Sequence, residues 1–142
     1  MNDELTALLA ANFPEVTVPS AAARALARQG GVRRLPRGAV VFAQGQCAPA
    51  LYGVLAGEVE IRFMTADGQT SVLEHVPAGR LFGLASFASG LPSTYEAVTT
   101  RSTRIALFGP AAYAVLVDDV PGVARWLLRE LALRHDLSLI HI

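Results

Sequence analysis

One cysteine in 142 residues, Cys47, excludes an internal disulfide and any cysteine-rich zinc site. A solitary thiol of this kind reads as structural rather than reactive. Net charge is missing too: twelve Lys and Arg balance twelve Asp and Glu, so no overall field would hold the chain on a nucleic acid backbone or an anionic membrane. The chain is therefore not expected to bind DNA by itself. Long apolar runs are lacking, since each is broken by Gly, Pro or charge, and the opening "MNDELTALLAANF" has neither the basic start nor the cleavage site of a signal peptide. These absences read as a cytoplasmic protein with no membrane partner. Histidine is scarce: His75 lies mid-chain, while His135 and His141 fall near the end. That supply excludes a barrel metal site built from two close histidines, a glutamate and a further histidine. A nucleophilic triad is excluded as well, because no Gly-x-Ser-x-Gly elbow occurs and Ser86 has no assigned base. No catalytic residue, metal or cofactor is expected, and the chain does not read as an enzyme.

What is present is apolar material: 52% of the residues are hydrophobic, enough for one buried core and one domain. Leu5, Leu8 and Leu9, then Ala22, Ala25 and Leu26, recur at helical spacing, with Pro14 and Pro19 between them. Two short helices are predicted over residues 1–31. From Val32 the pattern shortens to period-two runs, "VVFAQG", "ALYGVLAGEVEIRFM", "TSVLEHV", "YEAVTT" and "TRIALFG", punctuated by Gly38, Gly45, Gly57, Gly68, Gly79 and Gly90. Asp67-Gly68 is the strongest hairpin signal, predicting a two-residue turn with positive φ angles. After Gly109-Pro110 the helical period returns, first in "AAYAVLVDD". A longer helix follows in "DDVPGVARWLLRELALRHD", with Asp118 or Asp119 as N-cap and Pro121 in the first turn. The fold class is thus α+β, mainly β: an antiparallel β roll, or double-stranded β-helix jelly roll, running to about residue 109 and flanked by N- and C-terminal helices. Residues 32–136 form the roll and the helices after it. The last six residues, "LSLIHI", match one reading frame of the transposon mosaic end used in sequencing-library preparation. Residues 137–142 are therefore read as an artefact of that adapter, with the natural sequence continuing differently after Asp136.

Two further features admit two readings each. Arg33, Arg34 and Arg37 form a basic cluster ahead of the first expected strand, either a solvated rim or a ligand or nucleic-acid site. Trp126, Leu127, Leu128 and Leu131 give the last helix a broad apolar surface, for packing on the roll or for a partner helix.

The glycine and apolar spacing of "LPRGAVVFAQGQCAPALYGVLAGEVEI" resembles the first half of the cyclic-nucleotide-binding domain family, the sensor module of catabolite-activator and fumarate-nitrate-regulator-type transcription regulators. Gly38, Gly45, Leu51, Tyr52, Gly57 and Val59 carry it, followed by Gly79, Phe82-Gly83 and Pro92 and the helices beyond. The resemblance spans about residues 35–136, and several turn glycines at set intervals make it fairly specific. It implies that "FGLASFASGLPSTYEA" is a phosphate-binding cassette. In the family a short helix points its N–H groups at a cyclic phosphate, a Glu takes the ribose hydroxyl, and an Arg after a proline pairs with the phosphate. Here Leu84 stands at the Glu position and Ser93 at the Arg position, while Thr94 fits the hydroxyl position and Tyr95 replaces a small residue. Each charge-assisted bond contributes about 1.5 to 3 kcal/mol. Losing two lowers affinity by a factor on the order of a thousand or more, so ordinary binding of cyclic AMP or cyclic GMP is not expected.

The candidate ligand site is Gly83, Leu84, Ala85, Ser86, Ser93, Thr94 and Tyr95, for a weaker or smaller anion, a neutral polar ligand or a nucleotide-like effector. The plain alternative is an apolar cap followed by an ordinary strand entry. What the resemblance implies for function is a ligand-sensing domain of a bacterial transcription regulator, homodimeric when intact, which would reach DNA only through a part beyond Asp136. Two alternatives stand beside it: a regulatory module of a channel, transporter or enzyme, and a free-standing interaction domain that binds no ligand.

Overall fold

A computed structural model describes the backbone of residues 2–140 and the side chains of residues 4–132. Helices α1 (Asn2–Asn12) and α2 (Ser20–Gln29) lead into eight strands: β1 (Gly31–Leu35), β2 (Val40–Phe42), β3 (Leu51–Ala56), β4 (Glu58–Met64), β5 (Thr70–Pro77), β6 (Leu81–Phe82), β7 (Glu96–Thr99) and β8 (Thr103–Phe108). A one-and-a-half-turn helix, α3 (Leu84–Ser89), interrupts them, and α4 (Pro110–Asp119) and α5 (Val123–Ile140) follow. All strand pairs are antiparallel, in two four-stranded sheets of order β1-β8-β3-β6 and β2-β7-β4-β5. This is the mainly β roll with flanking helices that the glycine-punctuated pattern predicts.

Period-two alternation decides where each side chain goes. In β3 and β8, Tyr52, Val54 and Ile105 face the roll interior and join Phe42, Val59, Ile61, Val76, Phe82 and Ala97 there. Their neighbours Leu51, Ala106 and Phe108 face outward. That outer face would be costly to leave wet, and the helices cover it with Leu8, Phe13, Leu26, Leu116, Val123 and Leu127. The first sheet is therefore buried on both faces.

Four local expectations are corrected. The first strand begins at Gly31, so Arg33 and Arg34 lie within β1 rather than ahead of it. They pair with Ile105 and Arg104 of β8. The β4–β5 loop has five residues, 65–69, with the Thr65 N–H on the Gln69 carbonyl at 2.8 Å and the Gly68 N–H on the Thr65 carbonyl at 3.0 Å. Only Gly68 takes positive φ, 88°, so Asp67 stays in ordinary backbone space and the turn is not the two-residue kind. Asp118 and Asp119 end α4 instead of capping α5. Pro121 sits in the turn between the two helices, and Gly122, at φ 92°, accepts the first bond of α5 from the Trp126 N–H. On the last helix, Leu127 is buried and Trp126 meets Phe13 edge-on at 6.0 Å, whereas Leu128 is 68% exposed. The helix packs through one side and leaves part of its apolar surface open. Of the six terminal residues, 137–140 continue the α5 backbone and His141 and Ile142 lie outside the described residues.

Candidate functional site

The cassette is built around two glycines. Gly83, at φ 81°, lets the chain leave β6 and turn into α3, and Gly90, at φ 73°, ends that helix with its N–H on the Ser86 carbonyl at 2.9 Å. A side chain at Gly83 would be strained by that φ and would press on the Tyr52 and Phe42 rings at 3.1 and 3.3 Å. The N–H groups of Leu84, Ala85 and Ser86 open the helix and so have no partner inside it. The candidate residues thus fall on two adjacent pieces of chain: Gly83, Leu84, Ala85 and Ser86 on the turn and helix, and Ser93, Thr94 and Tyr95 on the approach to β7.

Loop 45–48 runs beside both pieces. Ser86 Oγ accepts the Ala48 N–H at 2.9 Å and donates to the Leu91 carbonyl at 2.6 Å. The Gly45 N–H donates to the Ser93 carbonyl and the Ser93 N–H to the Gln46 carbonyl, each at 2.8 Å. Ser93 Oγ donates to the Tyr95 carbonyl at 2.7 Å and accepts the Tyr95 N–H at 3.3 Å. Both serines are buried, and both hydroxyls are spent on backbone groups that would otherwise be unpaired. Thr94 is exposed, while Tyr95 is partly buried against the interior cluster. Cys47, expected to be structural, is exposed and donates weakly to the Gly90 carbonyl at 3.4 Å.

Behind the cassette the roll is filled by aromatic rings. Tyr52 stacks on Phe82 at 5.3 Å and on Phe42 at 6.0 Å, with Phe42 and Phe82 at 6.3 Å. Burial pushes the Tyr52 hydroxyl above its ordinary pKa, opposed in part by the charge of Arg33, which lies on the same face of the sheet. No basic side chain belongs to the segment 82–97. The segment itself therefore offers apolar and neutral polar contacts, while Arg33 of β1 brings a positive charge toward the Tyr52 side of the interior.

Two residues that shape the site carried no signal in the sequence. Asn12, at the end of α1, donates from Nδ2 to the Gly79 carbonyl at 2.7 Å and accepts the Leu81 N–H at 3.4 Å, so the N-terminal helix holds the entry to β6. Phe87 leans out of α3 and meets Tyr113 of α4 edge-on at 5.0 Å, joining the cassette to the C-terminal helices. Long-range contacts of this kind, 67 residues apart for Asn12 and Gly79, leave no periodic mark.

Residues 32–119, more than half of the chain, match the family model for the cyclic nucleotide-binding domain. The chain is 34% identical over 116 residues to a CRP-like cAMP-activated global transcriptional regulator of Mycobacterium tuberculosis, covering 82% of this chain and 51% of that protein. It is 33% identical over 103 residues to the cyclic AMP receptor protein of Thermus thermophilus, covering 72% and 48%. The chain thus spans about half the length of the curated relatives it matches. Among solved structures, the Thermus thermophilus catabolite activator protein superposes with a TM-score of 0.80 at 25% identity, over 92% of this chain and 61% of that one. The sensor domain of the transcriptional regulator DNR from Pseudomonas aeruginosa gives 0.79 at 25%, over 100% and 97%. Fold, family match and relatives agree: the chain belongs to the cyclic nucleotide-binding domain family and is a regulatory domain related to CRP-like transcription regulators.

Proposed function

We propose that this domain is the effector-sensing half of a bacterial transcription regulator that acts as a homodimer. Its DNA-binding part would lie beyond Asp136, and its effector would not be an ordinary cyclic nucleotide. The chain itself performs no catalysis in this reading. The relatives named for cyclic AMP supply the regulatory frame, and the side chains of the cassette supply the departure from it. The effector site is Gly83, Leu84, Ala85, Ser86, Ser93, Thr94 and Tyr95. One observation carries the reading: where the family places a phosphate-binding Arg, this chain has Ser93, whose hydroxyl is closed onto the Tyr95 backbone inside a buried turn. Leu84 likewise offers no acceptor for a ribose hydroxyl. What remains for a ligand is the unpaired N–H groups at the start of α3, the exposed Thr94 hydroxyl and the apolar wall of Tyr52, Phe42 and Phe82. That set suits a small, weakly charged polar effector.

Titration calorimetry with cyclic AMP tests this reading. Binding weaker than a dissociation constant of about 10 µM, or roughly −7 kcal/mol, is the expected result. A constant at or below that value would show that backbone contacts alone suffice and would overturn it. In the same measurement the double variant Leu84→Glu/Ser93→Arg should gain affinity over the unaltered chain, because it restores both charged contacts.

A further inference from the structure

From a cleft on the opposite side of the first sheet, away from the cassette, we infer a second ligand site, for a small oxyanion such as inorganic phosphate or the phosphate group of a phosphomonoester. The cleft is about 270 Å³ and is lined by Arg34, Ala56, Ser102, Thr103 and Arg104. Strand register brings the two arginines together, since Arg34 of β1 stands directly opposite Arg104 of β8. Both point to the outer face, as Ala106 does, because they alternate with the inward-facing Ile105. Like charges directly opposite one another on neighbouring strands repel, and no carboxylate belongs to the cleft lining itself. Glu4 of α1 pairs with Arg104 Nη2 and neutralises one guanidinium. Arg34 has no ion pair among the described residues, so one positive charge is left over the cleft.

The donors match that charge. Arg104 Nε is buried and has no hydrogen-bond partner, an arrangement that is unfavourable unless something accepts the bond. Ser102 is exposed and its hydroxyl is uncommitted among the described residues. The Thr103 hydroxyl, by contrast, is occupied: it accepts the Glu58 N–H at 3.2 Å and donates to the Arg101 carbonyl at 2.8 Å. The free Arg34 guanidinium, the part of Arg104 not taken by Glu4 and the Ser102 hydroxyl, set around an open volume, are the chemistry that recognises a tetrahedral oxyanion. Ala56 keeps the floor of the cleft clear of a bulky side chain.

The site stands on the roll's outer surface and does not depend on what the cassette binds. Calorimetric titration of the whole chain with inorganic phosphate, and separately with glycerol phosphate, at constant ionic strength set by chloride, reads it directly. Saturable binding of at least one of the two is expected, and whichever binds more tightly identifies the source of the oxyanion. Arg34→Gln, an exposed change that spares the core, should weaken binding about tenfold, the loss of roughly one charge-assisted bond. Glu4→Gln should tighten it by freeing Arg104 Nη2. Absence of saturable uptake, or equal affinity for the unaltered chain and Arg34→Gln, would overturn the inference. Thr94→Ala separates the two sites: an unchanged phosphate affinity supports the cleft. If Thr94→Ala lowers that affinity and Arg34→Gln does not, phosphate is bound at the cassette. That result removes this inference while leaving the proposed function to its own test.

Discussion

Glu58 shows how one side chain here couples folding to acidity. Its carboxylate, partly buried at the start of β4, accepts the Thr100 hydroxyl at 2.8 Å, faces His75 Nδ1 at 3.3 Å and lies 3.9 Å from Arg101 Nη2. The Thr100 bond is the largest cause, His75 the next, and together they hold the carboxyl below its ordinary value of 4.5. A depressed folded-state pKa means that the unfolded chain takes up the proton first. The contribution is therefore complete above about pH 4.5 and is lost as pH falls through the lower, folded-state value. Glu58→Gln should be less stable than the unaltered chain at pH 6, with the difference closing as pH falls through the folded-state value of Glu58, below which both carry a neutral group at this position. Denaturant midpoints across that range measure it, and a gap that stays constant with pH would show that Glu58 acts through packing. Thr100→Val should move the Glu58 titration, followed by NMR of the side-chain carboxyl, back toward the ordinary value.

At the scale of elements, the shortest crossing between the two sheets is a single residue. β3 ends at Ala56 in one sheet and β4 begins at Glu58 in the other, so Gly57 alone carries the chain across at φ 95°. A Cβ there would lie 2.5 Å from Thr103 Oγ1 and 2.6 Å from the Ser102 carbonyl. Gly45, at φ 87°, has nothing within 4 Å of the same position. Gly45→Ala should therefore cost only the left-handed backbone term, about 1 to 2 kcal/mol, whereas Gly57→Ala adds overpacking of about 1 to 3 kcal/mol. Thermal or denaturant unfolding of the pair separates the two terms, and equal losses would mean that the β7–β8 turn yields freely. Elements marked by glycine turns and alternation, β2, β3, β4, β5, β7 and β8, were legible in the sequence because local periodicity and the core demand the same residues. Two strands were not. β1 reads "GVRRL", where a pair of arginines masks an alternation that only β8 completes, and β6 has two residues, too few to show a period. The start of α5 misled for a similar reason, since Asp118 and Asp119 have the chemistry of a cap, but tertiary packing continues α4 through them and leaves Gly122 to begin the next helix. Of the candidate site, the glycines could be read directly, and the two missing charges only through the family resemblance. Asn12 and Phe87, and the closure of Ser93 onto its own turn, depend on contacts that no window of sequence contains.

For the whole molecule, the question is what surface could bring two copies together. Stable interfaces bury about 1,200 to 2,000 Å² in total and place apolar anchors at their centre. Among the described residues α5 exposes one large hydrophobic, Leu128, because Val123 and Leu127 are committed to the core and Trp126 packs on Phe13. A lone leucine does not anchor an interface of that size. A second group, Phe63, Met64, Val72 and Leu73, lies on the β4–β5 hairpin at 39 to 55% exposure, more apolar surface than the helix offers but spread over the outer turn of the hairpin. The chain of 142 residues is therefore expected to be monomeric at micromolar concentration. Sedimentation velocity on this chain, and on a version ending at Asp136, measures it. Both should sediment as monomers. The shorter one should also keep its melting temperature within a few degrees, less than about 1 kcal/mol for a domain of this size, if residues 137–142 are foreign to the fold. A tight dimer of either chain would contradict the expectation and would direct attention to the hairpin. Leu73→Asp places a charge in that group, so a dimer built on the hairpin should dissociate with it, while one built on α5 should respond to Leu128→Asp instead.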